Sequence, residues 1–310
     1  MLPAVGHDGL MTTRTGTVPG DIDLCFEEFG DATDPAVLLI MGLGAQMVHW
    51  RTEFCEKIAA AGYHVIRFDN RDSGLSDKLD GVHSGGAPLP IKLLQFFVGI
   101  PVSGSAYTLT DMADDARRVL DHLAIDRAHI VGASMGGMIA QVFAADHPDR
   151  TLSATVIMSS NNRPFLPPPG PRQMLALISP PPKDATREQL IERSARMYGI
   201  IGSPVFPAPL DVAIANVTEY IERCYYPMGF ARQFAAILGS GRLDGHNRRT
   251  TARTLVLHGT HDKLMRPSGA RAVATTVPDG RLIMVDGMAH DLPEPLWDQI
   301  VGELTAHFAN

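Results

Sequence analysis

The sequence predicts an α/β fold, a mostly parallel β-sheet with helices on both faces and an inserted helical segment. Three observations lead there. The apolar run Val37-Leu38-Leu39-Ile40-Met41 ends in Gly42-Leu43-Gly44, as strands covered on both faces end in loops. Strand-like and helix-like stretches then alternate, the rhythm of βαβ units. That alternation stops at Asn161 and resumes at Thr254, so the interruption lies inside one domain.

Residues 13–29 alternate in strand fashion and are broken at Pro19-Gly20-Asp21, which predicts a hairpin. Residues 37–41 predict a central strand. Phe54, Ile58 and Ala61 follow at helical spacing, and residues 63–69 return as a strand. From Leu109, the positions Met112, Ala113, Ala116, Val119, Leu120 and Leu123 recur at three and four, with Asp111, Asp114 and Asp115 in the first turn, which predicts a helix. Next come a strand at 129–132, a helix at 135–146 and a strand at 154–158. The proline-rich run 163–171 can continue neither element. Beyond it lie helical patches at 190–197 and 212–224, then a strand at 254–258, a helix at 267–276, a strand at 281–285 and a helix at 292–308. The expected organisation is a flexible tail at 1–12, a core at 13–160 and 251–310, and an inserted helical cap at 161–250.

Composition narrows the function. With 45% hydrophobic and 20% charged residues the chain reads as a globular protein, and its net charge of −7 comes from acids scattered throughout. No cluster of Lys or Arg suits phosphates, so nucleic acid is not an expected partner. Cys25, Cys55 and Cys224 are odd in number and widely spaced, which suits free thiols rather than a disulfide or a metal site. The apolar stretch 91–102 holds Lys92, Gly99 and Pro101 and falls short of the roughly 18 residues a membrane span needs. Residues 1–16 lack the features of a secretory signal, so a cytoplasmic location is expected. A homodimer is left open.

The chemistry concentrates at Gly132-Ala133-Ser134-Met135-Gly136, a G-x-S-x-G between a predicted strand and a predicted helix. Small residues two before and two after Ser134 allow a tight turn that lifts its hydroxyl above the sheet edge. The following helix starts beneath the reacting centre, so the Met135 N–H is a candidate oxyanion donor. A serine nucleophile in such a sheet takes its acid and then its base from later strand ends. Asp262, in His258-Gly259-Thr260-His261-Asp262, and His290, in Asp286-Gly287-Met288-Ala289-His290, occupy those places. His258 and His261 sit too near the acid in sequence to be oriented by it and read as structural. Asp286 precedes His290 on the same turn and is the weaker acid, and Asp291 reads as the start of the last helix. The second oxyanion donor falls on the loop 41–44, with the Leu43 N–H preferred.

With these motifs the chain resembles the α/β-hydrolase superfamily from about residue 13 to residue 308. Phe68-Asp69-Asn70-Arg71-Asp72-Ser73-Gly74-Leu75-Ser76 is similar to its D-x-R-G-x-G-x-S segment, and Tyr107-Thr108-Leu109 with Met112-Ala113-Asp114-Asp115 to the helix before its nucleophile strand. Within the superfamily the chain is most similar to aclacinomycin methylesterase-like carboxylesterases and lipases. Met41 stands where a His is common, Asp72 replaces a Gly, and Ala289 replaces the Gly usual before the catalytic His. Arg71 and Ser76 are read as loop ties.

The resemblance implies a serine esterase acting on a small-molecule ester through an acyl-enzyme, with Ser134, His290 and Asp262 as its triad and neither metal nor organic cofactor. A carbon–carbon bond or thioester hydrolase with the same triad is the alternative, and a ligand sensor on the same fold is the alternative of another class. Gly42, Phe96, Phe97 and Phe206 are expected to line the substrate site. Met174, Leu175, Leu177, Ile178, Ile200, Ile201 and Phe234 would roof it, unless the insertion packs for stability alone. The run 91–100 either helps line the entrance under the cap or covers the core.

Overall fold

The computed structural model describes residues 13–179, 182 and 184–310, so the expected tail at 1–12 lies outside the described residues. Eight strands form one sheet in the order β1-β2-β4-β3-β5-β6-β7-β8. β1 (Thr13–Val18) and β2 (Leu24–Phe29) form the expected hairpin, and β2 lies antiparallel to β4 (His64–Phe68). Every later pairing is parallel, through β3 (Ala36–Ile40), β5 (Ala128–Ala133), β6 (Thr151–Ile157), β7 (Thr254–Gly259) and β8 (Gly280–Val285).

β3 is apolar throughout because it is covered on both faces. Its side chains alternate between faces, and a layer of helices covers each face. Leu38 and Ile40 pack with residues of α3 (Leu109–His122) and α4 (Met135–Asp146), including Met112, Val119, Ile139 and Phe143. Val37 and Leu39 face the other way, onto Phe54 and Ile58 of α1 (Thr52–Ala60) and Trp297, Ile300 and Leu304 of α11 (Trp297–Phe308). α10 (Pro267–Thr276) matches its expected bounds and packs on β7 and β8.

Between β6 and β7 lie α5 (Pro171–Ile178), α6 (Arg187–Ile201), α7 (Leu210–Arg223), α8 (Pro227–Ser240) and α9 (Asp244–Arg249). α6 and α7 share a small core of Ile191, Ala195 and Val217, with α5 against α6. α8 instead packs on α3 and on α2 (Leu89–Val98), and α9 on α4 and α10. α2 overlaps the apolar run 91–100 and stops at Gly99, whose φ of 77° favours glycine.

The starts of β6 and of the last helix differ from expectation. β6 begins at Thr151 because its polar first residues find partners: Thr151 Oγ1 donates to His147 O, and Ser153 Oγ meets His129 Nδ1. The last helix begins at Trp297 rather than 292. Pro293 and Pro295 limit the chain there to a single 3-10 turn at Glu294–Leu296.

Candidate active site

Ser134 occupies the turn from β5 into α4 with φ 56° and ψ −118°, a strained region for a residue with a side chain. The glycines of the motif are needed because the turn is compressed against the sheet. A Cβ on Gly132 would lie 2.0 Å from Gly136 O, and one on Gly136 would lie 2.0 Å from Ile40 O. The backbone is anchored by Ser134 N–H to Ile157 O at 2.9 Å and by Ser159 Oγ to Ser134 O at 2.6 Å.

Three loops bring the expected side chains together. His290 Nε2 lies 3.1 Å from Ser134 Oγ, and His290 Nδ1 lies 2.8 Å from Asp262 Oδ2. An ionised carboxylate only accepts, so Nδ1 carries the hydrogen and Nε2 is left to accept from the serine hydroxyl. Asp262 is itself held, because its Oδ1 accepts the N–H groups of Leu264 at 2.9 Å and Met265 at 2.8 Å. The rivals fall elsewhere. His261 and Asp286 are exposed and share Thr260 Oγ1 as partner.

His258 is fully buried, and its Nε2–H donates to Met265 O at 2.6 Å with Asp262 Oδ2 at 3.5 Å. Burial pushes its pKa down against the pull of Asp262, so it is a neutral support for the acid loop. Asp291 does not start the last helix as expected. Its carboxylate accepts from Ser203 Oγ, and burial holds its pKa up. Ser203 Oγ also accepts the Ala289 N–H at 2.8 Å, and Ile201 O accepts the His290 N–H at 3.1 Å. The end of α6 and the residues after it therefore hold the histidine loop. No motif marks Ser203 in the sequence, and Ile201 is expected only as part of the roof; packing alone reveals their hold on the histidine loop.

Met135 is the first residue of α4, where an N–H has no partner within the helix. Gly42 abuts the serine, since a Cβ there would lie 3.0 Å from Ser134 Cβ. Leu43 follows in a turn closed by Ala45 N–H to Gly42 O at 3.2 Å. Gly42, Leu43, Ser134, Met135 and His290 open onto a cleft of about 3120 Å3 that Phe96, Phe97 and Phe206 also line. The residues expected to roof the site, Met174, Leu175, Leu177, Ile178, Ile200, Ile201 and Phe234, line it too. Phe97 meets Phe165 edge to face at 5.6 Å, while Phe96 is partly buried against the core.

The segment after β4 supports this region from below. Arg71 pairs with Asp115 at 2.6 Å, and Ser76 Oγ donates to Asp69 O while accepting the Cys25 N–H. Asp72 has φ 66°, the left-handed region that favours glycine. Its carboxylate accepts from Arg232 Nε at 2.8 Å and Nη2 at 2.7 Å, from Tyr107 OH at 2.8 Å and from the Leu79 N–H at 2.9 Å. Burial would raise its pKa, but these donors together hold it below the usual carboxylate range.

The sequence matches the α/β hydrolase fold family over residues 35–294, most of the chain. The chain belongs to that family. It is 28% identical over 323 aligned positions to the rhodomycin D methylesterase DauP of Streptomyces sp. strain C5, covering 96% of this chain and 98% of the relative. It is 27% identical to the rhodomycin D methylesterase DnrP of Streptomyces peucetius, over 93% of this chain and 95% of that one. Among solved structures, the meta-cleavage product hydrolase CumD of Pseudomonas fluorescens superposes with a TM-score of 0.73 at 18% identity, over 96% of this chain and 98% of that one. The latter likeness concerns the fold. The protein is thus a hydrolase of α/β fold. Among its described residues no helix is long and apolar enough to cross a membrane, and no group of three or more His, Cys, Asp or Glu side chains is placed to hold a metal ion.

Proposed function

We propose that this hydrolase is a serine esterase, cleaving carboxylic esters with an apolar acyl or alcohol part. The observation that carries the proposal is the continuous hydrogen-bonded chain from Asp262 through His290 to Ser134 at the mouth of a largely apolar cleft. His290 removes the Ser134 proton as the hydroxyl attacks the ester carbonyl, then protonates the departing alcohol, and water repeats the sequence on the acyl-enzyme. Asp262 keeps the imidazole in the tautomer that can accept at Nε2 and stabilises its cation. The N–H groups of Leu43 and Met135 receive the charge that develops on the carbonyl oxygen, a role in which each donor is worth about 2.7–4 kcal/mol. Residues 161–250 act as the cap, α5 to α8 facing the cleft, with Phe96, Phe97 and Phe206 at the apolar walls. That two relatives bear the name methylesterase supports an ester over a carbon–carbon bond.

The test is steady-state turnover of methyl and p-nitrophenyl esters of increasing chain length, beside thioesters and a β-diketone, for the wild-type protein and Ser134→Ala. Multiple turnover of esters is expected, lost by several orders of magnitude in the variant, with a fluorophosphonate probe labelling Ser134 alone. Labelling at another residue would overturn the serine reading. Hydrolysis of the β-diketone but not the esters would favour the carbon–carbon alternative, and a single turnover with retained product would favour a sensor.

A further inference from the structure

The loop after β3 is tied to the helical insertion through one residue, Gly44. Its carbonyl accepts the Tyr220 hydroxyl of α7 at 2.7 Å, and its N–H donates to Gln233 Oε1 of α8, also at 2.7 Å. Gln233 is fully buried and its Nε2 donates onward to Arg71 O at 2.8 Å, so the amide is locked between two backbone segments. Gly44 has φ 66°, and a Cβ there would lie 2.7 Å from Phe230 of α8, so the helix rests directly on the turn. Gln46 extends the tie. Its Nε2 donates to Tyr220 O at 2.7 Å and Cys224 O at 2.6 Å, while its Oε1 accepts from Arg223.

Planar trans peptides convert these bonds into orientation. In such a unit the C=O and N–H point in opposite directions, so holding one end sets the other. The Tyr220 hydroxyl holds Gly44 C=O, which turns the Ala45 N–H of the same peptide towards Gly42 O, the 3.2 Å bond that closes the turn. Gly42 C=O shares its peptide with the Leu43 N–H and so sets the direction of that donor. Gln233 holds the middle peptide, Leu43 to Gly44, the unit whose rotation distinguishes one turn type from another. All three peptides of the turn are fixed, and two of the holds come from the insertion.

We propose that Tyr220 and Gln233 are positioning residues that preorganise the Leu43 N–H, so that seating of α7 and α8 on the Gly42–Ala45 turn is a condition of transition-state stabilisation rather than of substrate binding alone. The proposal rests on Ser134 reacting through an acyl-enzyme with Leu43 as an oxyanion donor. Tyr220→Phe removes one oxygen and leaves the ring in place, and Gln233→Met removes both amide contacts at similar size. Each variant is compared with the wild-type protein for kcat and KM on a p-nitrophenyl ester, for affinity towards an aryl trifluoromethyl ketone as a tetrahedral mimic, and for melting temperature. The expected result for Tyr220→Phe is a fall in kcat of roughly ten-fold, smaller than loss of an oxyanion donor itself, with KM within about two-fold and ketone affinity falling in parallel with kcat. Gln233→Met follows the same pattern. A lowered melting temperature with unchanged kcat and ketone affinity in Tyr220→Phe overturns the proposal. Ser134→Ala run alongside separates the failures: if it is inactive while Tyr220→Phe is normal, only the positioning role falls, whereas turnover by Ser134→Ala overturns both readings.

Discussion

At the residue scale, Asp262, the proposed acid, is the most exacting position of the site. Asp262 serves three donors at once, the imidazole and two backbone N–H groups. Asp262→Asn keeps the volume but offers an amide that pairs with the other tautomer of His290. We expect kcat to fall about 10⁴-fold, the magnitude recorded for that change in a serine protease, with KM changed far less. Retention of near-wild-type kcat would mean that the acid is another residue. Ser203 belongs to the same scale, since its hydroxyl serves both Asp291 and the Ala289 N–H. Ser203→Ala leaves the buried Ala289 N–H unpaired and takes the hydroxyl donor from Asp291, and should cost about 1–3 kcal/mol of stability, read from denaturant unfolding, with a smaller loss of kcat than Asp262→Asn.

At the scale of elements, the β5–α4 turn and α2 make opposite demands. The turn is over-determined: a methyl on Gly136 would meet Ile40 O at 2.0 Å and Met41 O at 2.8 Å, both backbone atoms that cannot swing aside. Gly136→Ala should therefore unfold or strongly destabilise the protein. Gly245→Ala in α9, where a Cβ meets nothing within 4 Å, should be neutral or slightly stabilising. Comparison of soluble yield and melting temperature decides, and equal behaviour of the two variants would refute this account of the motif. In α2 the two phenylalanines divide. Phe96 packs on the core and Phe97 is 39% exposed against Phe165, so Phe96→Ala should lower the melting temperature while Phe97→Ala should shift KM across ester chain lengths. Identical chain-length profiles for wild type and Phe97→Ala would remove Phe97 from the substrate path.

For the whole molecule, acid stability follows from histidines buried without charge. His129 lies in β5, its ring stacked on Phe308 at 4.4 Å and its Nδ1 bonded to Ser153 Oγ; burial, aided by His307 and Arg253, lowers its pKa to about 4. Burial likewise depresses His258 and His307. An unfolded chain titrates its histidines near 6.5, so between about pH 6.5 and 4 the unfolded state binds more protons than the folded one. Stability should thus fall as the pH is lowered through that window and level off above it. His129→Gln, which cannot titrate, should flatten part of the slope in urea unfolding measured against pH. An unchanged slope would mean that His129 is protonated in the folded protein.

What the sequence by itself determined is what local pattern encodes. Apolar runs and their alternation with helical spacing place the strands of the parallel sheet, because a strand buried on both faces is made mostly of apolar residues. G-x-S-x-G and the strand ends at Asp262 and His290 are equally legible, since each is a short segment whose residue types suffice to name its place. Only the tertiary structure decided which side chains support them. Ser203, Tyr220 and Gln233 reach the site from 86 to 189 residues away in the chain, through one or two hydrogen bonds each that leave no periodic trace. The same holds for Asp72, whose left-handed backbone is tolerable because Arg232, 160 residues distant, meets its carboxylate. Within the insertion α8 escapes notice because Pro227, Gly229 and Gly239 dilute its helical pattern, and its position follows from packing on α2, α3 and the Gly44 turn rather than from propensity.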